Sequence, residues 1–146
     1  MITGIAHVTI VVDDCAKALE FYTKKMGFVK RHDQMVDDFR WVTVSPADAE
    51  YPQIVLHQPT IGSYGSKEEV DAMLDLVGAN APMTLIADDC KKTFQELSKK
   101  GVVFSQEPTQ QDWGVEAVFE DLYGNPFFLL EPAEQEDDGV DEEDDE

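Results

Sequence analysis

The chain has 146 residues and 16.4 kDa, 42% of them hydrophobic and 10% aromatic, enough apolar material for one domain with a buried core. Eleven Lys and Arg stand against 31 Asp and Glu, a formal net charge of −20. That balance argues against a nucleic-acid partner, whose phosphates require clustered cations, and against adsorption to an anionic membrane. No apolar run reaches the roughly 18 residues of a membrane span, and the first residues show no basic n-region or cleavage site. A cytoplasmic protein is therefore expected. Its two cysteines make no disulfide framework.

The first strand is expected in GIAHVTIVV. Gly4, Ala6, Val8, Ile10 and Val12 form its small or apolar face, suited to packing on a helix, and Ile5, His7, Thr9 and Val11 form the other. Asp13 and Asp14 can then cap a helix whose apolar residues Cys15, Leu19 and Tyr22 recur at i, i+4 and i+7, before Gly27 ends it. Three strand-like runs follow, FVKRHDQM, FRWVTVSP and PQIVLHQP. A connector over 59–81 carries the capping-box pattern Ser66-Lys67-Glu68-Glu69 ahead of a short helix.

The pattern then repeats. Residues 82–100 align with 7–25 without a gap at an offset of 75, with 7 of 19 positions identical, including Asp88-Asp89-Cys90 and Lys99-Lys100. Gly101 ends the second helix, and the runs VVFSQEP, VEAVFED and NPFFLLEP follow. Each half reads β-α-β-β-β, with module one over 1–58 and module two over 82–132. The expected fold is α+β, two βαβββ modules forming a curled mixed sheet around a cleft. From 133 to 146 an acidic tail is expected to stay solvated, since its like charges and single Val cannot offset the entropy of ordering.

Strand alternation places His7, His57 and Glu131 on faces expected to turn away from the helices. Two imidazoles and a carboxylate can hold a divalent metal and leave positions open for substrate oxygens. Thr9, Trp41, Thr43 and Trp113 are candidates to line a substrate cleft, and Glu116 and Glu131 are candidate catalytic carboxylates. The structural alternatives are equally concrete: a packing histidine, a solvated Glu116, a Trp113 that is ordinary sheet packing. Cys15 and Cys90, at matching positions on apolar helix stripes, read as buried packing residues.

These segments resemble the vicinal oxygen chelate superfamily, which includes glyoxalase I, bleomycin-resistance proteins and extradiol dioxygenases. The resemblance spans 1–132 and rests on GIAHVTIVVDDCAKALEFYTKKMGF, RWVTVSP, MTLIADDCKKTFQELSKKGVVF and WGVEAVFEDLYGNPFFLLEP. It implies the glyoxalase-like fold, a homodimer and a small-molecule ligand, while the charge balance speaks against a nucleic-acid or membrane partner. It also implies ligands to Zn, Ni, Mn or Fe at His7, His57 and Glu131, whereas the remaining family position falls on Pro82, which cannot ligate through its side chain. Two functions follow from it. One is an enzyme of lyase, isomerase or dioxygenase type that chelates vicinal oxygens through the metal. The alternative is a metal-free binding protein of the bleomycin-resistance type.

Overall fold

The computed structural model describes residues 1–62 and 65–134. The acidic tail expected over 133–146 lies, from residue 135 on, outside the described residues.

Module one runs β1 (His7–Val11), α1 (Cys15–Glu20), β2 (Val29–Val36), β3 (Phe39–Ser45) and β4 (Gln53–His57). A connector helix, α2 (Lys67–Leu74), leads to module two: β5 (Met83–Ile86), α3 (Cys90–Lys99), β6 (Val103–Gln111), β7 (Gly114–Glu120) and β8 (Pro126–Pro132). The sheets have matching strand orders, β1-β4-β3-β2 and β5-β8-β7-β6. In each, the first strand is parallel to the last and the other pairs are antiparallel. The fold is α+β, two four-stranded mixed sheets in the glyoxalase-like arrangement, each open and unclosed.

Local chemistry starts the helices where the sequence predicts. Asp14 accepts the Lys17 N–H at 3.0 Å and Asp89 accepts that of Lys92 at 3.0 Å, filling backbone donors that a first turn leaves open. Ser66 and Glu69 form the reciprocal capping box at the start of α2. After α1 the helix widens into a π-helical segment, Phe21–Lys25, and Gly27 then turns the chain at φ +79°. Gly101 does the same after α3 at φ +89°.

The helix-side faces of both sheets meet in one hydrophobic core. Ile10, Val12, Val42, Val44, Ile54 and Leu56 come from the first sheet, and Ala117, Phe119, Phe127 and Leu129 from the second, with Tyr22, Cys90 and Leu97 among the helical residues between. Tyr22 joins the modules: its ring meets Phe127 edge-on at 6.1 Å, and its hydroxyl donates to Asp121 at 2.7 Å. Both thiols are free and buried, and burial raises the pKa of each above the ordinary thiol range.

Candidate functional site

Among the described residues no helix is long and apolar enough to cross a membrane. The functional question therefore turns on the sheet faces away from the core and on the space between the modules.

On the first sheet the face opposite the core carries His7, Thr9 and Val11 from β1, Gln53, Val55 and His57 from β4, and Phe39, Trp41 and Thr43 from β3. The register fixes this, since His7 lies beside Gln53, Thr9 beside Val55, Val11 beside His57, and Val55 beside Thr43. Four rings on this face touch edge to face in sequence: His7 to Trp41 at 5.3 Å, Trp41 to Phe39 at 6.3 Å, and Phe39 to His57 at 5.6 Å. β4 lies between β1 and β3, so the His7–Trp41 contact spans it. Gln53 and Val55 on that strand are 2% and 4% exposed, and Thr43 is fully buried. The Thr43 hydroxyl donates to the Gln53 side-chain oxygen at 2.8 Å. Thr9 is exposed.

His7 and His57 share this face but not a neighbourhood. They stand four residues apart along paired parallel strands, about 13 Å at ~3.3 Å per residue, with two aromatic rings between them. Burial lowers the pKa of the half-buried His57 below its ordinary value.

Glu131 lies elsewhere, and the expectation for its face requires correction. Strand alternation groups it with Phe127 and Leu129, and those two are core residues on the helix side. Its carboxylate accepts the Cys90 N–H at 2.9 Å, at the start of α3. The residues on the face of β8 away from the core are Phe128 and Leu130, in register with Val118 and Glu116. The three ligands expected for a metal therefore do not converge within the chain, and among the described residues no group of three or more His, Cys, Asp or Glu is placed to hold a metal ion. The donor set does not fit the group.

Glu116 and Trp113 belong to the second sheet. Glu116 faces away from the core, and its carboxylate accepts the Trp113 indole N–H at 3.4 Å. Trp113 is 55% exposed in the turn before β7. Within one chain these two do not join His7, Trp41 and His57, which lie on the other sheet.

A crevice of about 760 Å³ lies between the modules. Val8, Phe28, Ile54, Met83, Leu85 and Phe119 give it an apolar lining, and Gln53 borders it at the module-one side. No histidine lines it. We place the candidate site on the ring-lined face because recognition chemistry, aromatic and polar together, concentrates there. Sequence reasoning missed Phe39 and Gln53. Both were legible, because alternation puts Phe39 with Trp41 and Gln53 with His57.

The model of the glyoxalase/bleomycin resistance protein/dioxygenase superfamily matches residues 4–129. The uncharacterized protein YurT of Bacillus subtilis (strain 168) is 37% identical over 128 residues, covering 87% of this chain and 98% of that one. Among solved structures, UcmS2 superposes with a TM-score of 0.80 at 36% identity, covering 89% of this chain and 98% of its own. TnmS3, described as an antibiotic binding protein from Streptomyces sp. CB03234, superposes with a TM-score of 0.73 at 26% identity, covering 90% and 98%. By the family match along nearly the whole folded region and by the repeated βαβββ architecture, the chain belongs to the glyoxalase/bleomycin resistance protein/dioxygenase superfamily.

Proposed function

We propose that the protein binds a planar aromatic small molecule on the His7–Trp41–Phe39–His57 face, without a metal, as a cytoplasmic homodimer. The observation that carries this reading is the continuous series of edge-to-face rings on one sheet face. Aromatic faces offer large, stiff contact area at low entropic cost and hold flat π-systems by stacking. The similarity to TnmS3, an antibiotic binding protein, supports the same class of function. The net charge of −20 favours cationic over anionic ligands through long-range attraction.

The metal-dependent enzyme is the weaker reading on geometry. Glu131 is committed to α3, and His57 lies about four residues along the sheet from His7. The dimer is supported by sheet edges. Among the described residues β1 pairs only with β4 and β5 only with β8, so there each sheet ends on a strand with one unpaired side. Ile86, on β5, is 79% exposed.

The test is a thermal-shift series with proflavine, a planar tricyclic cation, in buffer containing EDTA. Saturating dye raises the melting temperature of the wild type and has a much smaller effect on Trp41→Ala. Equal shifts in the two proteins would place binding somewhere other than this face.

A further inference from the structure

We infer that the crevice between the modules is a second binding site, taking a flexible alkyl chain that ends in a cationic head group. It is independent of the aromatic site proposed above, because none of His7, Phe39, Trp41 and His57 lines it.

The crevice, about 760 Å³ in volume, falls in the size range of small-molecule cavities. Its lining combines buried residues, Ile54, Phe119 and Leu129, with half-buried ones, among them Phe28, Met83 and Leu85. The half-buried side chains keep part of their apolar surface in water, and an apolar ligand that covers it gains free energy. Met and Leu side chains adapt to a flexible chain more readily than they stack on a rigid plane. Charge selects the head group. The charged residues of the lining are Asp48, in the loop between β3 and β4, and Asp88, just past β5, and both are exposed. Neither is in an ion pair among the described residues. Lys99 and Lys100 line a neighbouring hollow and not the crevice itself. Each module thus supplies one carboxylate and no cation to the lining, so a cationic head meets negative charge from both. The net charge of −20 draws cations toward it from a distance.

The test is equilibrium dialysis of the full chain against octyltrimethylammonium, butyltrimethylammonium, octanoate and 1-octanol. The expected result is saturable, stoichiometric binding of octyltrimethylammonium, with the short-chain cation and octanoate each weaker by about tenfold or more. Asp48→Asn combined with Asp88→Asn should weaken the long-chain cation about tenfold and leave 1-octanol unchanged. Leu85→Asn should weaken both ligands, with melting curves confirming that each variant is folded, and Trp41→Ala should weaken neither. Octanoate bound as tightly as the long-chain cation overturns the head-group assignment. Unchanged affinities in the folded aspartate and Leu85 variants overturn the site. Loss of binding in Trp41→Ala overturns it too, by moving the ligand to the ring-lined face. Absence of octyltrimethylammonium binding overturns the inference outright, and a mass halved by Leu85→Asn in light scattering would then give the crevice to a second copy of the chain.

Discussion

The Glu131 carboxylate accepts the backbone N–H of Cys90 at 2.9 Å, and in the other module the Gln58 side-chain oxygen accepts that of Cys15 at 2.8 Å. A residue at the end of the last strand in module two, and just past it in module one, thus reaches back to the first residue of its own helix. A charged acceptor serves one copy and a neutral one the other. Both supply a partner for a donor that helix geometry leaves open, and a carboxylate there also meets the positive end of the helix dipole.

A capping role for Glu131 predicts a stability phenotype. Glu131→Ala should lower unfolding free energy by about 1–2 kcal/mol, in the range of a lost helix cap. Glu131→Gln should cost clearly less, since Gln58 does the same work in module one. Urea unfolding of the three proteins checks this, and equal losses in both variants would contradict the cap.

Tyr22 and Asp121 tie the modules together. Asp121 accepts the Tyr22 hydroxyl at 2.7 Å and the Asn125 amide at 2.8 Å, and its other oxygen takes the backbone N–H groups of Tyr123 and Asn125. Burial, reinforced by the Asp121 charge, pushes the Tyr22 phenol far above its ordinary range, so it stays a donor. Tyr22→Phe should cost about 1.5–3 kcal/mol, as for a hydrogen bond to a charged group. Chemical denaturation measures it, and a loss below about 0.5 kcal/mol would show that the aromatic packing, which Phe keeps, accounts for the contact.

His57 gives stability a pH dependence of known sign. Burial lowers its folded pKa, so as pH falls below about 6.5 the unfolded chain takes up the proton first. Stability that is fully present above pH 6.5 is therefore lost as pH drops toward the folded value. Melting temperatures at pH 7.5 and 5.5 should fall further for the wild type than for His57→Asn. Equal falls would show that His57 binds its proton alike in both states.

Much of this organisation was legible in the residues. The offset of 75 located both helices, and the paired aspartates located their starts, because capping and periodicity are local. The face presented by Glu131 was misjudged because alternation sorts the last strand into two apolar sets, Phe127 with Leu129 and Phe128 with Leu130, without saying which set meets the helices. Seven residues, 46–52, link β3 to β4, but five, 121–125, link β7 to β8. The offset of 75 therefore falls to 73 in the last strands, which pairs Glu131 with Gln58 and Leu130 with His57. The matching endings Gln58-Pro59 and Glu131-Pro132 carried that signal. Contacts such as His7 with Trp41 were beyond reach, because they depend on how side chains lean across a curved sheet.

The unpaired outer sides of β1 and β5 predict self-association. Light scattering at micromolar concentration should return about twice the chain mass of 16.4 kDa. A mass near that of one chain would contradict the proposed dimer.

The most direct test of the metal-free aromatic site is a calorimetric titration of metal-stripped protein, first with proflavine and then separately with zinc, nickel, manganese and ferrous ions. The account predicts saturable dye binding that EDTA does not alter and that Trp41→Ala weakens about tenfold or more. Failure of the dye to bind, together with stoichiometric uptake of one of these ions that His57→Ala abolishes, would contradict it.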